Sequence, residues 1–159
     1  MRFLAASVNI ISTAHEGKKF AMTATSVTSL SMDPPSLLVC VNKNASIHDT
    51  LITDGQQFCV NLLSKGQEDI ATTCSINEKE PERFQFDDWD TKDIPYLKSA
   101  QSNIFCKVID HFEHATHTIF LGNVVKSTFK DQFNTLIYAD GKYLYCLLYT
   151  SPSPRDATL

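Results

Sequence analysis

Short runs of β-branched and apolar residues, each ended by a turn signal, recur along almost the whole chain, and they leave little room for helix. Residues 8–13, 20–31, 36–41, 58–63, 104–112, 118–125 and 135–138 all read as strands. His15-Glu-Gly-Lys18 is a turn between the first two, and Asp33-Pro34-Pro35 stops the second with a rigid bend. The run 36–41 is almost continuously apolar, as in a strand covered on both faces. Asp140-Gly141 between apolar residues signals a hairpin. Two segments read as helix. One spans 46–53, with Ser46 as cap, Asp49 three positions on, and Ile47, Leu51 and Ile52 as its apolar side. The other opens at Ser64, carries Glu68 and Asp69 in its first turn, and buries Ile70, Ala71 and Cys74. Residues 77–98 are charged and aperiodic, contain Glu82-Arg83-Phe84 and the single Trp89, and read as a long surface loop that packs locally. Many strands with two short helices make this a mainly β chain, a small β-barrel with peripheral helices.

Composition narrows the functional classes. A chain of 159 residues with 43% hydrophobic and 20% charged residues is one domain with a real core. Lys and Arg number 14 against 18 Asp and Glu, a net charge of -4, which excludes the cationic surface that nucleic acids require. The five glycines are too dispersed for a G-x-G-x-x-G or G-x-x-x-x-G-K loop, so a bound nucleotide must be held by another route. The five cysteines are never closer than Cys59 and Cys74, 15 positions apart. That excludes a zinc ribbon, argues against a disulfide framework, and fits free thiols in a reducing cytosol. Ser7 and Asn9 interrupt the apolar run after Arg2 before it reaches signal-peptide length, and no stretch approaches the ~18–20 apolar residues of a membrane span. The expectation is a cytoplasmic protein without membrane contact. Residues 146–159, with Ser151-Pro-Ser-Pro154 following directly on a strand-like run, resemble translated adapter sequence and are expected to be a non-native tail to a functional domain of residues 1–145.

Six of the nine residues from Thr23 to Ser31 carry hydroxyls. As one strand of period two, Thr23, Thr25, Val27, Ser29 and Ser31 share a face, with Ala24, Ser26, Thr28 and Leu30 opposite. Hydroxyls on both faces suit a polar slot in which a planar ligand lies against backbone N–H and C=O groups; they equally suit a solvated, Thr-rich edge strand. His111, His114 and His117 have a spacing that on a helix would gather them for a metal. On strands, position 114 points away from 111 and 117, and no metal site is expected. His117, sharing a face with Ile119 and Leu121, reads as a histidine at a pocket mouth or as a solvated one.

Six motifs occur in a fixed order: Ala21-Met-Thr-Ala-Thr-Ser-Val-Thr-Ser-Leu-Ser-Met-Asp-Pro-Pro35, Leu38-Val-Cys-Val41, Ser46-x-His48, Phe58-x-Val-Asn61, Glu82-Arg-Phe84 and His117-Thr-Ile-Phe-Leu-Gly122. Together, over residues 3 to 143, they resemble the short-chain flavin reductases with the FMN-binding split β-barrel fold. The resemblance implies that Thr23, Ala24, Thr25 and Ser26 lie against the flavin ring, with Ser29 and Ser31 nearby. It implies that Cys40, Val41 and Asn42 border the ring, that Lys43, Ser46 and His48 meet the flavin phosphate, and that His117 stands by the nicotinamide. Members often carry arginine near Lys43 and Gly-Asp where this chain has Ala115-Thr116. The implied activity is an NAD(P)H:flavin oxidoreductase that passes a hydride from NADH or NADPH to FMN or FAD. No residue acts as nucleophile or metal ligand, because the flavin carries the chemistry. The reduced flavin would supply a partner monooxygenase, and the flavin sites would form in a homodimer. The alternative is a flavin-binding electron-transfer protein without a productive nicotinamide site.

Overall fold

The computed structural model describes residues 3–145, so the tail expected at 146–159 lies outside the described residues. Twelve strands are formed among them: β1 (Ala6–Ser7), β2 (Asn9–His15), β3 (Lys18–Ala24), β4 (Val27–Met32), β5 (Pro35–Asn42), β6 (Gln57–Leu62), β7 (Trp89–Asp90), β8 (Tyr96–Leu97), β9 (Ser102–His114), β10 (His117–Phe129), β11 (Leu136–Ala139) and β12 (Lys142–Tyr145). Helices α1 (His48–Leu51) and α2 (Glu68–Ser75) and a 3-10 turn, Asn77–Glu82, complete the description.

Seven strands form one antiparallel sheet in the order β3-β2-β6-β9-β10-β5-β4. Its two edge strands, β3 and β4, are consecutive in sequence and separated only by Thr25 and Ser26. A flat sheet of this width would hold its edges ~29 Å apart at ~4.8 Å per strand. Three peptide steps from Ala24 to Val27 reach only ~11 Å. The sheet must therefore curl until its edges meet, and the Cys40 N–H donating to the Ser26 carbonyl at 3.0 Å carries the β4–β5 ladder one pair further, up to that crossing. This is the split barrel that the motifs implied. The stretch 20–31 is thus two strands rather than one. Its simple alternation breaks at the crossing, and again at an irregularity between Ser29 and Ser31 in the β4–β5 pairing.

Two apolar clusters hold the fold. Ile11, Leu37, Val39, Val41, Phe58, Val60, Val108 and Phe120 fill the barrel, joined by Ile47, just ahead of α1, and Leu51 at its end. Outside it, Val8, Ile10 and Ala21 pack against Ile70, Ala71 and Cys74 of α2, together with Trp89, Leu97 and Leu136. Strand β2 feeds both, Ile11 inward and Ile10 outward, and is buried through its first five residues. A three-stranded sheet, β1-β11-β12, flanks this second cluster.

The helix starts differ from the sequence reading. No side chain caps α1, and Ser46 is exposed outside it. The entry is built instead by Asn42, whose Oδ1 accepts from the Asn44 N–H at 2.9 Å and whose carbonyl accepts from Ala45 at 3.0 Å. Ser64 lies ahead of α2, and the Gln67 side chain accepts from the Ser64 N–H at 2.7 Å. Segment 77–98 is more ordered than a loop, holding the 3-10 turn and the β7–β8 pairing. The β9–β10 turn, with Ala115 at φ 48°, makes His114 and His117 cross-strand partners. They therefore share a face, and His111, paired opposite Phe120, points the other way. Among the described residues no three His, Cys, Asp or Glu side chains are grouped to hold a metal ion. No helix there is long and apolar enough to cross a membrane.

Candidate functional site

Barrel closure brings the end of β3 beside the end of β5. A recess of ≈ 320 Å³ opens there, lined by Met22 and Thr23 of β3, Asn42, Asn44 and Ala45 at the exit of β5, Cys74 and Ser75 at the end of α2, and Asn77 and Arg83 beyond it. The next strand over completes the neighbourhood. His117 opens β10 directly opposite Asn42, and the Lys43 N–H donates to the Thr116 carbonyl at 3.0 Å.

The sequence-assigned residues divide into several environments. Thr23 lines the recess, and its hydroxyl donates to the Ala71 carbonyl at 2.6 Å. Ala24 and Val41 are buried in the barrel core, so towards a ligand they can offer only backbone groups. Thr25 and Ser26 are exposed at the seam, and Cys40 is half-buried. Lys43 is engaged by Glu113 at 2.6 Å, and this ammonium holds the Glu113 carboxyl below its ordinary range. His48 is buried, with Nε2 2.8 Å from Thr118 Oγ1 and Nδ1 3.0 Å from Asp49 Oδ1. Ser46 is exposed beside the recess without lining it. His117 is exposed, its Nδ1 2.9 Å from Thr116 Oγ1. Ser29 and Ser31 pair with Leu37 and Ser36, at the opposite end of β5 from Asn42. The structure therefore gathers Thr23, Asn42, Lys43 and His117 and leaves Ser29 and Ser31 apart.

Arg83 was legible only as part of a motif, with no role attached. It is 3% exposed; Nη1 donates to the Ala21 carbonyl at 2.8 Å and Nη2 to the Ile76 carbonyl at 3.1 Å. Its Nε is buried without a hydrogen-bond partner. Burial of this kind depends on contacts across 62 positions of sequence, and no local pattern announces it.

A barrel closed from an antiparallel sheet whose consecutive edge strands meet, with a polar recess at the ends of β3 and β5, is the split-barrel architecture. The comparisons agree. The family model for the flavin reductase like domain matches residues 1–146, and the chain belongs to that family. FMN reductase (NADH) RutF of Pseudomonas syringae pv. syringae is 36% identical over 145 residues, covering 90% of this chain and 81% of the relative. The reductase component of the FADH(2)-dependent resorcinol hydroxylase of Rhizobium sp. is 34% identical over 147 residues, covering 90% and 82%. Among solved structures, the NADH:FAD oxidoreductase SgcE6 of Streptomyces globisporus, in complex with NAD and FAD fragments, superposes with a TM-score of 0.86 at 26% identity, covering 94% of this chain and 90% of that one. BorF, the flavin reductase component of a bacterial two-component tryptophan halogenase, superposes at 0.82 with 27% identity, covering 91% and 92%.

Proposed function

We propose that this chain is an NADH-dependent flavin reductase whose reduced flavin passes to a partner oxygenase. The observation that carries the reading is the recess shared by Thr23 and Asn42, with His117 directly across the ladder from Asn42. The donor set there suits a flavin: amides, hydroxyls, backbone groups freed at a strand crossing, and a buried guanidinium whose Nε lacks a partner. When bound, the flavin supplies hydride-accepting chemistry, and the protein need furnish no nucleophile or metal.

The work left to the chain is placement. The backbone around Thr23, Ala24, Thr25 and Ser26 borders the ring on one side, and Cys40, Val41 and Asn42 border it on the other. Lys43, Ser46 and His48 mark the side of the phosphate end. His48 acts there through Thr118 and Asp49, which fix its ring. His117 offers an exposed imidazole to the nicotinamide, steadied by Thr116. Holding both rings in one geometry converts an encounter into an ordered reaction, which is where most of the rate arises.

The functional unit is residues 1–145, which the family match nearly coincides with. A homodimer in the cytoplasm fits the exposed Leu30, Met32, Phe112 and Phe129 and the free Cys40, Cys59, Cys74 and Cys106; light scattering checks the dimer. Anaerobic titration of FMN-loaded protein with NADH tests the activity. Stoichiometric bleaching of the flavin absorbance is expected. Flavin binding without NADH oxidation would instead favour an electron carrier with no nicotinamide site.

A further inference from the structure

His117 opens β10, and its pairings with Asn42 and His114 are the terminal rungs of both flanking ladders. A terminal rung frays unless something outside the sheet holds it. Residues 43–48 are tied to residues 113–118 at three points. The Lys43 N–H donates to the Thr116 carbonyl at 3.0 Å, Lys43 Nζ stands 2.6 Å from Glu113 Oε2, and His48 Nε2 stands 2.8 Å from Thr118 Oγ1. The ion pair is open to solvent, its side chains 34% and 58% exposed, and screened pairs of that kind contribute little. The His48–Thr118 bond differs in kind, because Thr118 is 0% exposed and His48 only 5%. Thr118 and Phe120 present one face of β10 to the imidazole, which meets Phe120 edge-on with centroids 5.9 Å apart. The histidine is itself anchored: it opens α1, with fully buried Ile47 before it and Leu51 at the helix end. Nδ1 lies 3.0 Å from Asp49 Oδ1. A carboxylate only accepts, so Nδ1 carries a proton, and in the neutral ring Nε2 accepts from the Thr118 hydroxyl. Both ring nitrogens are thus engaged, and the buried ring has none to offer a ligand. Filling this space needs no imidazole, since an apolar side chain of like volume would pack there with no polar group to satisfy. What the imidazole adds is direction, a bond that fixes where the first residues of β10 lie relative to α1.

We propose that His48 is a positioning residue for the nicotinamide side of the site: through its buried bond to Thr118 it fixes the start of β10, and with it the neighbouring His117, against the end of β5. This role rests on the flavin reductase reading above, in which His117 stands by the nicotinamide, and deepens it by giving His48 a task that needs no contact with flavin or dinucleotide. Hydride transfer is sensitive to such placement, because a misplacement of ~1 Å can cost about a hundredfold in rate.

Thr118→Val removes the hydroxyl, keeps the branched shape, and is followed by two readouts. Amide hydrogen exchange of the flavin-free protein, read at the Lys43 N–H that bonds the Thr116 carbonyl, should quicken by about 3–10-fold, as for one lost hydrogen bond. Steady-state kcat/KM for NADH at saturating FMN should fall by about 5–50-fold, while the FMN Kd from fluorescence quenching stays within about twofold. Thr118→Ser keeps the hydroxyl and should bring both readouts back to within about threefold of wild type. His48→Met should reproduce the loss, and the double variant should lose no more than either single one, since both cut the same bond. Wild-type exchange at Lys43 in Thr118→Val, additive losses in the double variant, or an equal loss of FMN affinity would overturn the assignment and return His48 to core packing or to the phosphate end. Faster exchange with NADH efficiency unchanged would overturn it as well, because the bond would then hold β10 without serving His117. Wild-type protein that binds FMN but oxidises no NADH, or binds no flavin, would overturn the underlying reading, and this role with it, even where the Lys43 exchange shows that the bond holds the strand.

Discussion

Gly122→Ala should damage the barrel at its centre, and the structure gives the size of the effect. Gly122 sits in β10 between Leu37 of β5 and Val108 of β9, so both backbone flanks are fixed by pairing. A Cβ at this position would lie 2.8 Å from Phe58 Cζ and 3.0 Å from both Phe58 Cε1 and Cys106 Cβ. Carbon atoms prefer about 3.5–4.0 Å, so at least ~0.5 Å must be found somewhere. Phe58 and Cys106 are 0% exposed, and the barrel cluster surrounds both, so neither has open space into which to withdraw. Overpacking of this kind costs about 1–3 kcal/mol. For a chain of this size the melting temperature should fall by about 2–4 °C for each kcal/mol. Urea unfolding followed by Trp89 fluorescence measures it, since that tryptophan is the only one and is 8% exposed. Phe58→Leu removes the two ring atoms that clash, so the double variant should be more stable than the sum of the single losses by about 1 kcal/mol or more. Additive losses, or no loss for Gly122→Ala, would refute the steric argument.

Three further outcomes follow from individual contacts. His117→Ala should lower kcat/KM for NADH by about 10–100-fold with flavin affinity unchanged, as for one lost positioning contact; equal flavin and NADH defects would return His117 to a structural role. Asn61→Leu should cost about 2–4 kcal/mol in urea unfolding, because Asn61 Oδ1 accepts from the Leu97 N–H at 2.8 Å and from Asn103 at 3.0 Å, and both donors would be stranded in a buried site. Burial raises the Cys74 and Cys106 thiols from 9.0 to about 12, so above pH 9 the unfolded chain releases protons that the folded chain keeps. Their contribution, complete below pH 9, should decline towards pH 12 by up to about 1.4 kcal/mol per pH unit for each thiol, and replacing both by alanine should flatten that slope in urea midpoints measured at pH 8 and 10.

What could be read from the sequence was what neighbouring residues decide among themselves. The Glu16-Gly17 and Asp140-Gly141 turns were legible because a two-residue hairpin needs positive φ twice, and they adopt 49° and 77°, and 50° and 76°. The strand runs were legible from their apolar content. The entry to α1 was misread because Asn42, four residues before Ser46, forms its own local turn and removes the need for a cap there. Segment 77–98 lacked a period because its order comes from afar: Trp89 Nε1 donates to the Arg83 carbonyl at 2.8 Å, and Arg83 reaches back to Ala21. A charged residue in an aperiodic stretch reads as solvated, and only tertiary burial reverses that. Hydroxyl counting failed in a similar way. It picked out the segment that reaches the recess and crosses between the sheet edges, but could not tell that Thr23 Oγ1 already serves Ala71 or that Ser29 and Ser31 lie beyond the crossing.

The recess and the barrel seam are one event. In the order of the sheet, β3 is one edge, and β5 is next to the other, so an open sheet would hold Thr23 and Asn42 several strands apart. They line one recess only because Thr25 and Ser26 carry the chain from edge to edge, Ser26 already accepting from the Cys40 N–H as the β4–β5 ladder begins. Two consecutive small hydroxyl residues suit that position. The backbone there must leave one ladder before joining the next, and short polar side chains can hydrogen-bond locally or to water while the pairing is interrupted. The hydroxyl-rich stretch therefore answers two demands with the same residues: it lets the edges meet, and it leaves backbone N–H and C=O groups unpaired next to the recess. Those groups are what a planar heterocycle with carbonyls and ring nitrogens along one edge can engage, so closure of the fold and preparation of the site follow from the same two residues.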